Sequence, residues 1–317
     1  MRIVAATALI AGTVATTAAI GAAVLPEPRN VTSPGDRAFN ESWARLKDAG
    51  IESPAIDARL MLEVAAGATR TEIITDPYRV LSAEQIDTLN AYLDRRIARE
   101  PVSHILGRKG FWKIMLNVTP DVLTPRPDTE TVVEAALRDW PEHEPRTVLD
   151  LGVGSGAIIL AILAERPAAK GLGIDVSEEA LAVARENAAN LGLESRIALL
   201  RGDWTAGLGD ETFDVVVSNP PYIPTADIDG LEPEVRDHEP RLALDGGPDG
   251  LDDIRHIITQ APAHLLPGGW LLLEHGYDQA EAVRGLLLTA GFADVQSRRD
   301  LSGIERDRKS TRLNSSH

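Results

Sequence analysis

The sequence predicts an α/β fold, in which a doubly wound, mostly parallel sheet follows a small N-terminal helical domain and a hairpin connector. Three observations support this prediction. From Thr147 onward, short apolar strands alternate with helical patterns, which is typical of parallel sheets. A glycine-rich turn joins the first of these strands to its helix, and polar residues follow several later strands. Open α/β sheets bind ligands at this carboxyl edge, so the sequence predicts a binding site there.

Length, charge and composition exclude several classes of function. The chain has 317 residues, more than the roughly 250–300 at which single cores stop growing, so we expect two domains. Its formal net charge of −16 argues against tight binding to the phosphate backbone of nucleic acids. Cysteine is absent, which excludes a disulfide framework, a thiol nucleophile and a thiolate zinc site. A protein or a small molecule is therefore the expected partner.

Both ends of the chain are expected to lie outside the fold. Residues 1–37 form an apolar leader and linker with no charge between Arg2 and Glu27, a pattern that signal peptides and membrane anchors share. The run is rich in Ala, Thr and Gly, whose transfer from water into a membrane is only weakly favourable. We therefore expect a cytoplasmic protein without membrane contact, unless residues 1–37 are a genuine targeting leader. Residues 307–317 (DRKSTRLNSSH) resemble an in-frame translation of a sequencing adapter, or a disordered tail.

Between these ends the sequence predicts three regions. Residues 38–106 form a helical domain, because their apolar residues recur at helical spacing, with Ser82 as a helix cap and Gly67 as a helix end. This domain has the features of a substrate-recognition module and equally those of a scaffold. Residues 107–124 change to a strand-like period and predict a hairpin connector. Residues 125–306 form the α/β domain.

The elements of the α/β domain follow in βα order. The segment Pro125-Arg126-Pro127 leads into the first helix, which Asp128 or Thr129 caps; it is either a plain helix start or a loop that closes over a ligand. Predicted strands cover 147–151, 171–175, 197–200, 213–217, 270–274 and 294–296, and predicted helices cover 132–137, 158–163, 178–191, 251–263 and 279–288.

A glycine-rich turn lies between the first strand and its helix and consists of Gly152, Val153, Gly154, Ser155 and Gly156. Glycine allows a sharp turn and a close approach of the backbone to a ligand, at a helix N-terminus that offers free N–H groups. The turn also satisfies the looser Gly-x-Gly-x-x-Ala dinucleotide pattern, so a nicotinamide-dependent oxidoreductase stays a candidate.

The next two strands end in residues suited to a nucleoside. Asp175 lies about twenty residues past the glycines, where a ribose-binding acid belongs, although it could instead cap the helix near Ser177. Asp203 and Trp204 follow the third strand. An adenine would stack on the indole of Trp204 and hydrogen-bond near Asp203, whereas the alternative is a core tryptophan in a loop.

Asn219, Pro220, Pro221 and Tyr222 follow the apolar strand at 213–217. Proline supplies no N–H group, so the chain must leave the sheet there. The segment offers an amide that both donates and accepts, backbone carbonyls with few competing N–H groups, and a flat aromatic face. These groups suit a planar amide or amine.

Together these residues resemble the class I S-adenosylmethionine-dependent methyltransferases, and more narrowly the peptide chain release factor N5-glutamine methyltransferases. The resemblance covers roughly residues 39–306 and implies a seven-stranded Rossmann-like methyltransferase sheet. It rests on the segments 150–156 (DLGVGSG), 175–177 (DVS), 202–204 (GDW) and 218–223 (SNPPYI), with further matches at 125–127 (PRP), 234–236 (EVR) and 239–241 (EPR).

The resemblance implies that Gly152 to Gly156 cradle the methionine end of S-adenosylmethionine, that Asp175 binds the ribose and that Trp204 lies by the adenine. Asn219 to Tyr222 would hold the acceptor glutamine, with Asn219 also beside the cofactor. The Asn219 side-chain oxygen and the Pro220 carbonyl would orient the amide N–H bonds, so that transfer needs positioning rather than a base. The implied partner is a release factor, methylated by a monomeric enzyme without direct contact to nucleic acid.

Other acceptors and other classes remain alternatives. The same site is similar to that of adenine-N6 DNA methyltransferases and some guanine-N2 RNA methyltransferases, which the acidic charge disfavours. A ribosomal-protein glutamine methyltransferase of the same superfamily is a closer alternative, which this sequence separates only through the helical domain. A nicotinamide-dependent oxidoreductase would explain the glycine-rich turn but would give Asn219 to Tyr222 no role. In a non-catalytic cofactor-binding module the acceptor site would be degraded, whereas here it is intact. The histidines form no metal-ligand spacing, and His275, where the family usually has an apolar residue, is interpreted as structural.

Overall fold

The computed structural model describes residues 2–8, 34–76, 78–297 and 307–310. These residues fall into two compact units that divide between Gly107 and Arg108, and Arg2–Ala8 belongs with the second unit. Among the helices of the described residues, none combines the length and the apolar character needed to cross a membrane.

The first unit is a bundle of short helices around one apolar core. Ser82 starts its fourth helix with a capping box, because the Ser82 hydroxyl accepts from Gln85 N while the Gln85 side chain accepts from Ser82 N. Gly67 ends the second helix in the left-handed conformation. The helices are α1 Pro34–Asp48, α2 Pro54–Ala66, α3 Arg70–Thr75, α4 Ala83–Ile97 and α5 Val102–Leu106.

The second unit contains the sheet and its flanking helices. Its strands are β1 Arg2–Ala8, β2 Arg108–Phe111, β3 Ile114–Asn117, β4 Thr147–Leu151, β5 Lys170–Asp175, β6 Ile197–Arg201, β7 Phe213–Ser218, β8 Leu265–Gly276, β9 Val295–Ser297 and β10 Asp307–Ser310. Its α-helices are α6 Glu130–Leu137, α7 Ala157–Glu165, α8 Glu178–Asn190, α9 Pro233–Arg236, α10 Asp252–Gln260 and α11 Ala280–Thr289. Strands β2 and β3 pair with each other as an antiparallel hairpin.

The sheet confirms the predicted doubly wound, mostly parallel class. Its strand order is β10-β9-β1-β8-β7-β4-β5-β6, and the five strands from β8 to β6 are all parallel. The chain runs outward from β4 to β6 and then returns to β7 on the other side of β4. This reversal creates a switch point between the carboxyl ends of β4 and β7, where open α/β sheets bind their ligands.

Alternate side chains of the central strands pack on opposite faces of the sheet. Val148 and Val215 belong to a cluster on one face, together with apolar residues of α6, α7 and α8. Leu149 and Val216 belong to a cluster on the other face, together with α10 and α11. Because both faces are covered, the strands consist of nearly continuous apolar residues.

The structure departs from the expectation for the two chain ends. Arg2–Ala8, part of the leader that was expected to lie outside the fold, pairs in parallel with β8 and with β9. Asp307–Ser310, part of the expected tail, pairs antiparallel with β9. The described residues thus form eight strands in this sheet rather than seven. The physical reason is that the uncharged run from Ile3 onward satisfies the backbone groups that β8 would otherwise present at an open edge.

Candidate active site

A cavity of about 340 Å³ lies at the carboxyl edge of the sheet, at the switch point between β4 and β7. It brings together residues that follow four different strands. The predicted site residues in its lining are Gly152, Val153, Gly154, Ser155, Asp175, Trp204, Asn219 and Pro221. Gly156, Pro220 and Tyr222 lie next to these residues in the chain but outside the lining.

The glycine-rich turn is held by the protein's own acceptors. The N–H groups of Gly152 and Val153 both donate to Ile174 O at 2.9 Å, and Gly154 N donates to Asp175 Oδ2 at 2.8 Å. These three groups are therefore not the free donors that the sequence predicts for this turn. The turn is shaped before any ligand binds.

Two of the glycines are required for different reasons. Gly154 has φ +52°, and an added Cβ would meet no atom within 4 Å, so its open side belongs to the cavity. Gly156 has φ +83°, and an added Cβ would lie 2.7 Å from Leu160 Cδ1. At position 156, the left-handed φ and the Leu160 side chain in the first turn of α7 both disfavour a Cβ, whereas glycine at position 154 leaves room for a ligand.

Asp175 connects two loops at the end of β5. Its Oδ2 accepts from Gly154 N, and its Oδ1 accepts from Ser177 N at 3.0 Å. Ser177, not Asp175, caps α8, because the Ser177 hydroxyl accepts from Ala180 N. An ionised carboxylate has about four acceptor positions, so Asp175 can still accept hydroxyl groups of a ligand in the cavity.

Trp204 lies against the glycine-rich turn. Its φ is +51°, and its indole ring faces the position where a side chain at Gly152 would begin. The indole also donates a hydrogen bond to the Asp253 side chain. Burial raises the pKa of Asp253, and this hydrogen bond opposes part of the rise. The ring is thus fixed as one wall of the cavity, while Asp203 beside it is exposed.

Asn219 extends from the end of β7 beside the β4 turn. The preceding Ser218 hydroxyl donates to Leu151 O at 2.6 Å and fixes the two strand ends to each other. The Asn219 amide nitrogen donates to Thr129 Oγ1 at 3.4 Å, a long hydrogen bond. Since its nitrogen is engaged with Thr129, the amide oxygen is the Asn219 atom available to a ligand.

A buried carboxyl group lies next to the segment from Asn219 to Tyr222, which is called the acceptor segment after its predicted role. Glu274 on β8 is 0 % exposed, and its Oε1 accepts from the Tyr222 hydroxyl at 3.2 Å. Its Oε2 has no hydrogen-bond partner among the residues that the structure describes. Burial raises the pKa of Glu274 to about 8, and hydrogen bonds from Thr129 and Tyr222 oppose this rise. Burial, followed by the nearby Glu274, raises the pKa of Tyr222 well above its usual value.

Asp150 is a second buried acid, and it lines the cavity. It is 1 % exposed, its Oδ2 accepts from Ile159 N at 3.3 Å, and its Oδ1 has no partner within the described part of the chain. Burial raises its pKa well above the usual value, and repulsion from Asp175 adds to the rise. Such a group favours a cationic or hydrogen-bond-donating ligand.

Gln279 holds the backbone of the acceptor segment in place. Its side-chain nitrogen donates to Tyr222 O at 2.9 Å and to Gly250 O at 3.1 Å, and its side-chain oxygen accepts from Gly276 N at 2.7 Å. Three chain segments therefore meet at one buried amide. On the other side of the cavity, Glu239 accepts from Thr124 N and pairs with Arg126 at 3.1 Å, which ties two lining loops together.

Sequence reasoning missed Thr129, Glu274, Asp150 and Gln279 as parts of this site. The available signal was an acid inside an otherwise apolar strand, as in Thr147–Leu151 and Leu265–Gly276, because buried acids are rare without a partner or a role. His275, interpreted as structural, is 0 % exposed, and burial lowers its pKa to about 4.

Comparison with known proteins places the chain in a family. Residues 37–107 match the PrmC N-terminal domain family, and residues 130–230 match the methyltransferase small domain family. The chain is 66 % identical to a release factor glutamine methyltransferase of Caulobacter vibrioides over 270 residues, which cover 85 % of this chain and 93 % of that protein. A protein of the same name from Rhodospirillum rubrum is 50 % identical, and the match covers 84 % of this chain and 81 % of that protein. Another from Geobacter sulfurreducens is 44 % identical, and the match covers 83 % of this chain and 92 % of that protein. The chain therefore belongs to the release factor glutamine methyltransferase family.

Proposed function

We propose that the protein transfers a methyl group from S-adenosylmethionine to the side-chain nitrogen of the glutamine in the Gly-Gly-Gln loop of a peptide chain release factor. The observation that carries the proposal is the position of Asn219 to Tyr222 at the switch point, beside the glycine-rich turn. Membership of the family supports the choice of substrate.

The cavity residues fit S-adenosylmethionine. The open side of Gly154 admits a ligand next to the backbone, and Asp175 has remaining acceptor positions for ribose hydroxyls. The fixed indole of Trp204 offers a face for adenine. The unpartnered oxygen of Asp150 suits the ammonium group of the methionine end. When bound, this cofactor supplies an electrophilic methyl group on sulfur and leaves as a neutral thioether.

The residues after β7 bind and orient the acceptor. A primary amide nitrogen is a poor nucleophile. The side-chain oxygen of Asn219 and the carbonyl of Pro220 accept hydrogen bonds from its two N–H groups and orient the nitrogen toward the methyl group. Positioning of this kind can remove about 7–11 kcal/mol of the barrier. The buried hydroxyl of Tyr222 stays protonated, because burial and Glu274 raise its pKa. Transfer of the methyl group leaves a positive charge on the amide nitrogen, which then loses one N–H proton. Since the phenol of Tyr222 is neutral and cannot accept this proton, the proton leaves to solvent.

The proposal extends to partner and location. Residues 38–106 would contribute to recognition of the release factor, and the enzyme would act as a cytoplasmic monomer. The net charge of −16 supports a protein partner over a nucleic acid. An oxidoreductase would give Asn219 no role.

The test offers the purified chain several acceptors in parallel. It is incubated with S-adenosylmethionine labelled in the methyl group and with a release factor, a ribosomal protein fraction, tRNA or duplex DNA. Mass spectrometry should locate the label on the glutamine of the Gly-Gly-Gln loop. Label in nucleic acid, or in a ribosomal protein alone, would reject the proposal. Replacement Asn219→Ala should abolish turnover and leave cofactor binding, measured by calorimetry, largely intact.

A further inference from the structure

Asn187 is a buried side-chain amide that joins two parts of the second unit. It lies on α8 and is 1 % exposed. Its amide nitrogen donates to Ser155 O in the glycine-rich turn at 2.9 Å and to Asn117 O at the end of β3 at 3.0 Å. Its amide oxygen accepts from Asn117 N at 2.6 Å. A single side chain therefore links the glycine-rich turn to the hairpin of β2 and β3.

The three partners of the Asn187 side chain require an amide. The backbone nitrogen of Asn117 can only donate, whereas the carbonyl oxygens of Asn117 and Ser155 can only accept. An amide supplies one acceptor and two donors, and only one orientation of its two ends matches these partners. A carboxylate would place an oxygen against two carbonyl oxygens, and an apolar side chain would offer none of the three groups a partner. Asparagine thus fits this position better than aspartate or leucine does.

The glycine-rich turn needs a restraint at Ser155. Gly154 and Gly156 lie on either side of it with φ +52° and +83°, and glycine has the widest conformational freedom of any residue. The peptide unit that follows Ser155 is held at both ends, because its carbonyl accepts from Asn187 and its N–H donates to Val153 O at 2.8 Å. Ser155 lines the cavity. Asn187 therefore fixes part of the surface that a ligand contacts.

The contacts of Asn187 with Asn117 hold a second segment of chain against α8. The residues that follow β3 continue along this helix, in a buried cluster of Val118, Val122, Ala180 and Val183. Val122 also lines the cavity, together with its neighbours Asp121 and Leu123. One helix thus holds two separate parts of the cavity lining in place, and Asn187 is hydrogen-bonded to both chain segments.

We propose that Asn187 is a positioning residue that holds the glycine-rich turn in the shape that binds the methionine end of S-adenosylmethionine. The inference rests on the proposed function, in which this turn binds that cofactor. A turn that is fixed before binding removes the cost of ordering it, so the restraint contributes to affinity. Asn187 does not itself line the cavity, so its effect reaches the cofactor through Ser155.

The test compares Asn187→Asp and Asn187→Leu with the unchanged protein. Both replacements remove the donors to Ser155 O and Asn117 O, the first with a buried charge and the second without one. Calorimetric titration, at a temperature where circular dichroism shows folded protein, should find the affinity for S-adenosylmethionine roughly ten- to hundredfold lower. At saturating cofactor kcat should change little, because the residues after β7 are untouched. Asn190→Asp, exposed at the end of α8, is the matched control and should keep the original affinity.

A second readout does not need the cofactor. Hydrogen exchange followed by mass spectrometry should be faster in residues 152–160 of both Asn187 variants and unchanged in residues 213–218, which form β7. An unchanged affinity would overturn the inference, and so would equal acceleration of exchange in both segments, because that result means a general loss of stability. If the local acceleration is present but the unchanged protein does not bind S-adenosylmethionine, the proposed function fails and the restraint on the turn stands.

Discussion

The Asp150 side chain is expected to favour ligand binding at the expense of folding stability. Its carboxyl group is buried, and one oxygen has no partner among the described residues. Burial of a charged group without a partner destabilises a protein, and the raised pKa of Asp150 is a direct sign of that penalty. A cationic group in the cavity would remove the penalty. Affinity and stability should therefore respond in opposite directions to a change at this position.

Replacement Asp150→Asn tests this relation. Asparagine keeps the acceptor for Ile159 N and removes the charge, so the affinity for S-adenosylmethionine should fall by about 10- to 100-fold, the equivalent of one charged hydrogen bond. The free energy of unfolding without ligand should stay the same or rise. Calorimetric titration and urea unfolding measure the two quantities. An affinity equal to that of the unchanged protein would contradict this role.

Glu274 should make the stability of the protein depend on pH. The pKa of Glu274 is about 8 in the folded protein, compared with its ordinary value of 4.5. Between pH 4.5 and pH 8 the folded state therefore binds more protons than the unfolded state. The contribution of Glu274 to stability is therefore complete below pH 4.5 and is lost as pH rises through 8. The loss amounts to at most about 5 kcal/mol.

Glu274→Gln should remove this dependence, because glutamine does not titrate. Urea unfolding of both proteins from pH 5 to pH 9 should show the unchanged protein losing stability relative to the variant as pH rises. Parallel curves for the two proteins would mean that Glu274 is ionised in the fold at all of these pH values.

At the scale of elements, the loop before α10 supports the acceptor segment through its backbone. Gly250 has φ +73°, and an added Cβ would collide with Tyr222 O and with the side-chain nitrogen of Gln279. Gly192, after α8, has a similar φ of +67°, but an added Cβ there would meet nothing within 4 Å. The two positions share the backbone strain and differ only in the contact.

The pair Gly250→Ala and Gly192→Ala therefore separates strain from contact. Gly192→Ala should lower the unfolding free energy by about 1–2 kcal/mol, the cost of a left-handed alanine, and leave kcat unchanged. Gly250→Ala should lower it by a further 1–3 kcal/mol or so and reduce kcat, because Tyr222 must move. Thermal unfolding and the methylation assay provide both numbers. Equal effects of the two variants would show that the Gln279 contacts do not position Tyr222.

The elements themselves were largely predictable, and the hydrogen bonds between them were not. The strand ending at Leu151, its glycine-rich turn and the acid at the end of β5 follow from local apolar runs and turn chemistry, and each lies where the sequence predicts. Thr129 and Glu274 are 145 residues apart in the numbering and lie near each other because α6 packs beside β8. Residue patterns report local periodicity, so a contact of this kind carries no sequence signal.

At the scale of the whole molecule, the least predictable feature was the use of the chain ends. The run after Arg2 is uncharged and apolar, which suits a leader and a buried strand equally well. Its pairing with β8 depends on an open sheet edge about 270 residues later, and local composition cannot reveal that edge. The helical domain, by contrast, depends on contacts within a short stretch of chain and was predicted from its spacing.

The net charge of the molecule is expected to disfavour binding of nucleic acids. With −16 charges, the protein should not retain tRNA or duplex DNA at physiological salt, because it cannot release counterions from phosphates. Fluorescence anisotropy with labelled nucleic acids measures this directly. A serum albumin of similar acidity is a suitable control for background. Salt-sensitive binding of tRNA would show that a local basic surface outweighs the net charge.

The adjacency of β4 and β7 also governs how the enzyme fails when it is heated. The two strands are paired from Val148↔Val215 to Leu151↔Ser218, so the glycine-rich turn and the acceptor segment extend from one hydrogen-bonded ladder. Because each strand supplies backbone partners to the other, we expect the two strands to lose their structure together. Heat inactivation should therefore abolish cofactor binding and methyl transfer in a single transition, with no temperature at which the protein holds the donor but has lost the acceptor.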